Sequence, residues 1–202
     1  KYGIFAEEGT KKPSLSPYTW IIDPLDGTTN FVHTYPFICI SIALQHKDEI
    51  VLGVIYDPLR DELFHAEKGE GTYLNEEKIT VTENRKLKNS LFAMGFPYEL
   101  GEEFNNTLKL FKAFVINGQG VRRDGSAALD LCYVAAGRVD GFWEYSLAPW
   151  DMAAGSLIVL EAGGKVTDMS GGKFSIYNPQ IVASNSLIHE EMLELIKKTL
   201  SL

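Results

Sequence analysis

Apolar and polar positions follow two rhythms along the chain, and the change from one to the other falls near Leu87. Before it, short apolar runs recur at Ile4-Phe5-Ala6, Trp20-Ile21-Ile22, Ile38 to Leu44, Ile50 to Tyr56, Leu63 to Ala66 and Thr72 to Leu74. The later runs are separated by Lys47-Asp48-Glu49, Asp57-Pro58 and Lys68-Gly69-Glu70-Gly71, clusters that turn a chain back on itself, so the pattern predicts an antiparallel meander. Within Ile38 to Leu44 large residues alternate with Cys39, Ser41 and Ala43, which predicts a strand apolar on both faces and closely covered on one. Gly9 to Tyr18 is rich in Lys, Pro and Ser and has no period; it reads as a surface loop.

After Leu87 strands alternate with helices. Leu91 to Phe96 reads as a strand, Glu103 to Phe114 as a helix, Gly120 to Arg123 as a strand, and Ser126 to Ala136 as a helix closed by Gly137. Val139 to Tyr145 is strand-like and Pro149 to Ala162 helical up to the stop at Gly163-Gly164. Lys165 to Asp168 and Ile181 to Ser184 are strand-like, and a last helix carries the stripe Ile188, Met192, Leu195, Ile196. The expected class is α+β with two sheets, divided into residues 1–88 and 89–202.

Composition narrows the function. With 202 residues, 45% hydrophobic and 23% charged, the chain is long enough to bury a substantial core. No apolar run approaches the ~20 residues that cross a bilayer, and nothing resembles a signal peptide, so the expectation is a cytoplasmic protein with no membrane partner. Cys39 and Cys132 are too few for a disulfide framework and are expected as buried free thiols. A net charge of −8 argues against a broad nucleic-acid surface, which would need clustered Lys and Arg. A phosphate ligand would therefore need a divalent metal or helix N-termini.

The candidate chemistry centres on Trp20 to His33, WIIDPLDGTTNFVH. A buried-type strand ends on two acids, Asp23 and Asp26, around Pro24, which cannot donate to a ladder, and ahead of Gly27, which permits an unusual turn. The expectation is that both carboxylates converge on one point and require a cation there. Gly27, Thr28, Thr29 and Asn30 read as the opening of a helical turn. Glu7 and Glu8 stand at another strand end, and Asp151 stands just inside a helix start after Pro149. Glu144 interrupts the aromatic strand Phe142-Trp143-Glu144-Tyr145, where an acid is costly without a partner or solvent. His33, His46 and His65 lack ligand spacing and stay outside the candidate site.

Trp20 to His33, together with Trp150-Asp151-Met152-Ala153-Ala154-Gly155 and Glu161-Ala162-Gly163-Gly164, resembles the inositol monophosphatase family of magnesium-dependent, lithium-sensitive phosphomonoesterases. The similarity runs from about Phe5 to about the end of the chain, and Arg122 to Asp168 is most similar to bacterial members. It implies a layered αβαβα sandwich and a Mg²⁺ site held by Glu7, Asp23, Asp26, Asp151 and the Leu25 carbonyl. Catalysis would rest on Glu7, Asp26 and Thr28, the threonine orienting a water. Substrate contacts would come from Leu25, Gly27, Thr28, Arg122, Gly125, Ser126, Ala127, Glu144 and Asp151. One departure is Ala6, where the family has Gly before the acidic pair. The resemblance also implies a homodimer, a pair of helices preceding the equivalent of Phe5, and an aspartate in that preceding part that holds the threonine.

The implied activity is hydrolysis of inositol monophosphate or a similar sugar phosphate. Alternatives are a same-superfamily phosphatase for fructose 1,6-bisphosphate or a nucleotide 3′-phosphate, a regulator that binds RNA or transcription machinery, and a Mg²⁺ or Ca²⁺ binder without turnover.

Overall fold

The computed structural model describes residues 2–9 and 11–201. Eight strands form the first sheet: β1 (Gly3–Ala6), β2 (Lys11–Lys12), β3 (Tyr18–Asp26), β4 (Cys39–His46), β5 (Glu49–Asp57), β6 (Glu62–Glu67), β7 (Gly71–Leu74) and β8 (Glu77–Ile79). Their spatial order is β2-β1-β3-β4-β5-β6-β7-β8. From β3 onward every pairing is antiparallel, as the spacing of turn clusters predicts, whereas β1 lies parallel to β3. The segment read as a loop contains β2, paired to β1 through Ile4 and Phe5; Thr10 in the same segment lies outside the described residues. A short helix α1 (Thr28–Val32) connects β3 to β4.

The second sheet has the order β10-β9-β11-β13-β12, from β9 (Leu91–Met94), β10 (Gly120–Arg122), β11 (Gly141–Tyr145), β12 (Lys165–Thr167) and β13 (Gln180–Ser184). β9 pairs in parallel with β10 and β11, and β13 runs antiparallel to β11 and β12. Four longer helices complete the chain: α2 (Glu102–Asn117), α3 (Ala127–Ala135), α4 (Pro149–Glu161) and α5 (His189–Leu200).

Helices α3 and α4 fill the space between the sheets, because both are apolar on nearly every side and can be satisfied only by burial all round. Small residues set the distances. A Cβ on Gly155 of α4 would fall 2.5 Å from Leu131 of α3, and one on Gly53 of β5 would fall 2.8 Å from the Ala154 carbonyl oxygen. This explains the alternation in β4: Cys39, Ser41, Ala43 and Gln45 form the closely covered face under α4, while Ile40, Ile42 and Leu44 take the other face. Helices α2 and α5 cover the far side of the second sheet, where Phe114 stacks on Trp143 with ring centroids 4.0 Å apart beside Phe92, Met192 and Ile196. Each such fully buried large side chain contributes roughly 1.5–3 kcal/mol. The described residues thus supply the sequence β-α-β-α of the layered sandwich, and none of their helices is long and apolar enough to cross a membrane.

One irregularity positions the chemistry. In the β3–β4 ladder Asp23 lies opposite Ser41 and Asp26 opposite Cys39, so three steps along β3 match two along β4. The extra residue is a bulge. It falls at Asp23-Pro24-Leu25-Asp26, where Pro24 has no amide hydrogen to give.

Candidate metal and substrate cleft

In a regular strand, side chains three residues apart point to opposite faces. The bulge cancels that, and carboxylate oxygens of Asp23, Asp26 and Asp151 all come within 4.8 Å of one another. Each is held from its own element. Asp23 Oδ1 accepts the Leu25 amide at 2.9 Å, which shapes the turn it belongs to. Asp26 Oδ2 accepts the Ser126 hydroxyl at 2.7 Å and the Ala128 amide at 2.9 Å, fastening β3 to the start of α3. Asp151 Oδ2 accepts the Ala148 amide at 2.7 Å across the first turn of α4. Glu7 is exposed and stands outside this tight triad, but its carboxyl is near enough to Asp23 to disfavour that group's charged form.

The electrostatics are those of a site awaiting positive charge. Burial, the Asp26 charge and the neighbouring Glu7 carboxyl push Asp23 up to about 8. Burial followed by the Asp26 charge pushes Asp151 up to about 7. Burial also raises Asp26, opposed by its bonds from Ser126, Ala128 and Gly27. Among the described residues no Lys or Arg forms an ion pair with any of the three. A crowded, oxygen-only donor set without a protein counter-charge fits a hard divalent cation and suits Mg²⁺ better than zinc or copper.

A cleft of about 240 Å³ opens over the triad. It is lined by Glu7, Leu25, Gly27 and Thr28 on the first-sheet side, and by Gly125, Ser126, Ala127 and Glu144 on the other. Gly27 adopts φ +89° and caps α1, as its place in the sequence suggests, and a Cβ there would lie 2.8 Å from the Phe37 carbonyl oxygen. Ser126 caps α3, accepting the Leu129 amide at 3.3 Å while holding Asp26, so its hydroxyl is already committed to the structure.

Of the residues expected from the sequence, Arg122 is the one that lies elsewhere. It ends β10 and lines a separate depression with Tyr35, Arg60 and Arg138, while the next residue, Arg123, lines the cleft. Adjacent extended residues point opposite ways, so one step in register decides which arginine faces the site. Sequence reasoning also missed Asn30, whose amide donates to the Phe37 carbonyl at 2.8 Å and the Asp124 carbonyl at 2.7 Å and so ties α1 to the α3 turn. It missed Asp130 as well, a buried acid in the first turn of α3 that lines the cleft. A polar residue within the otherwise apolar Ala127–Ala135 was the available signal for Asp130. His46 and His65 stack on Tyr18 and Tyr73 away from the cleft, and the fourth histidine, His189, is buried between Thr167 and Ser184 hydroxyls. Cys39 and Cys132 are free and buried, as expected.

A layered α+β sandwich with a carboxylate triad where the end of β3 meets the start of α4 defines the class: an α+β protein with an acidic cleft whose oxygen donors fit a cation. The chain matches the inositol monophosphatase family over residues 1–201 and belongs to it. It is 46% identical to the inositol-1-monophosphatase of Mesorhizobium japonicum, over 99% of this chain and 76% of that protein. It is 43% identical to the Nus factor SuhB of Haemophilus influenzae, over 98% of this chain and 74% of that protein. The crystal structure of the extragenic suppressor protein suhB from Bartonella henselae superposes with a TM-score of 0.94 at 45% identity, covering 98% of this chain and 76% of that one. The family and the relatives named as inositol monophosphatases support a phosphatase.

Proposed function

We propose that the chain carries the active site of a Mg²⁺-dependent phosphomonoesterase acting on inositol monophosphate or a similar sugar phosphate. The observation that carries this reading is the convergence of Asp23, Asp26 and Asp151 within 4.8 Å in a chain of this family. Asp23, Asp26 and Asp151 would hold the metal, with Glu7 and the Leu25 carbonyl completing its oxygen shell. When bound, Mg²⁺ supplies neutralisation of phosphoryl charge and a lowered pKa for water, the two requirements of phosphate monoester hydrolysis near neutral pH.

The chain's own groups do the rest. Asp26 keeps its orientation through Ser126 and Ala128, so it offers its free oxygen without a reorganisation cost. Thr28, exposed at the cleft, places a hydroxyl where it can orient the attacking water. Glu144 accepts a hydroxyl of the leaving alcohol, and Arg123 replaces Arg122 as the cationic contact at this site. Gly125 and Ala127 leave room for the ligand beside the α3 turn.

The test is hydrolysis of inositol 1-phosphate with Mg²⁺ by the parent and by Asp26→Asn. The variant is expected to lose at least about 100-fold in kcat/KM, equivalent to about 2.7 kcal/mol. Equal rates would end this mechanism. A panel including fructose 1,6-bisphosphate and a nucleotide 3′-phosphate then ranks substrates. Phe31, Val32 and Tyr35 are exposed apolar residues on and just after α1 and support a second copy of the chain as partner, read by sedimentation.

Relatives named Nus factor SuhB favour a second reading, a role in transcription. The net charge of −8 weighs against a broad RNA surface. Capture of RNA or transcription proteins that survives Asp26→Asn would favour it over catalysis.

A further inference from the structure

Beyond the triad, the cleft holds two more carboxyl groups. Asp130 is only 1% exposed, lines the cleft from the first turn of α3, and its Oδ1 meets no hydrogen-bond donor among the described residues. Glu144 sits on the neighbouring strand β11. It alternates with Trp143, which faces the outer helices, and so points to the inner side of the sheet toward α3. Its carboxyl lies over Gly95, where any Cβ would overlap its oxygens, so the glycine makes the space that the acid occupies. No described donor satisfies Glu144 either; burial and surrounding charge are what act on it.

A buried acceptor left unsatisfied costs about 1–3 kcal/mol, and such groups are few in native proteins, so one that lines a cleft calls for a functional explanation. The chemistry of the missing partner follows from what is already present. Arg123 supplies positive charge to both acids. What is absent is a neutral partner, and the hydroxyls of an alcohol are such partners.

We propose that Asp130 is a specificity-determining residue, which with Glu144 presents a pair of acceptor groups to the hydroxyls of a polyhydroxylated leaving alcohol. The inference rests on the phosphatase reading for the identity of the ester, but not on turnover. Asp130 selects for a cyclitol or sugar over an alkyl or aryl group carrying the same phosphate.

The experiment uses the full chain, Asp130→Ala and the near-isosteric Asp130→Asn, with two readouts. Binding of inositol 1-phosphate and of propyl phosphate is followed by calorimetry with Ca²⁺ in place of Mg²⁺, and hydrolysis of p-nitrophenyl phosphate is followed with Mg²⁺. Asp130→Ala is expected to weaken inositol 1-phosphate binding about tenfold or more. Propyl phosphate affinity and p-nitrophenyl phosphate kcat/KM stay within about twofold, since neither uses the pair. Asp130→Asn, which keeps an acceptor oxygen, recovers part of the loss. Unchanged inositol phosphate affinity in both variants overturns the proposal, as does an equal loss for both ligands, which would mark a structural role. A parent protein that prefers propyl phosphate overturns it too. Asp130-dependent binding in a protein that hydrolyses no ester would remove the phosphatase reading and leave this one standing.

Discussion

At the scale of single residues, the cleft trades stability for readiness. Asp23 is 2% exposed and surrounded by like charge, so removing its charge relieves the metal-free fold. Asp23→Asn is expected to gain about 1 kcal/mol at pH 8 without metal, a rise of roughly 2–4 °C in Tm, and to lose the further rise that Mg²⁺ gives the parent. A variant that melts lower than the parent without metal would contradict this. Asp23 and Asp26 were legible in the sequence because Pro24 and Gly27 mark the end of their strand, whereas Asp151 reads locally as a helix cap and was marked out by the family resemblance. The Arg122–Arg123 pair was not, since the choice between neighbours depends on where a three-residue strand stops. Asp130 was hidden for another reason: one acid in an apolar helix has the same pattern whether it faces solvent or a cleft, and only the packing of α3 against β11 distinguishes the two.

At the scale of elements, the bulge in β3 and the turn after it form one device. Gly27 must adopt φ +89° with no room for a side chain, so Gly27→Ala is expected to destabilise by about 1–3 kcal/mol. Because the strain falls on the residue before Thr28, its activity should drop by more than the fraction unfolded explains; urea midpoints beside kcat at saturating Mg²⁺ measure both. Gly155→Ala probes the middle layer, where the new Cβ would press on Leu131. An expected loss of about 1–3 kcal/mol in urea unfolding, with KM unchanged, would separate packing from chemistry. Most elements could be read from periodicity, since α2 to α5 carry clear apolar faces or clear glycine stops. The parallel pairing of β1 with β3 could not, because a four-residue apolar strand contains nothing that specifies its neighbour's direction.

At the scale of the whole molecule, the raised acids link folding to pH and to metal. Asp23 and Asp151 titrate at about 8 and about 7 in the fold, against 3.8 when unperturbed. Folded-state values above the unfolded ones mean that these groups favour folding when protonated. Their contribution is complete below about pH 4 and is lost as pH rises through 7 and 8. Metal competes with those protons, so Mg²⁺ is expected to raise Tm more at pH 8.5 than at pH 5.5. Equal shifts at both values in thermal melts would show that these carboxyls are not where the ion acts.

The bond from the Ala148 amide to Asp151 gives the cleft a route inward. Asp151 belongs at once to the acidic cluster and to the opening turn of α4, the rod wedged between both sheets. Filling the cleft with a cation therefore tightens the latch at the head of that rod, and amide hydrogens at Met152 to Gly155 will exchange more slowly with solvent. A bound ion would thereby act as a pin through the molecule's centre.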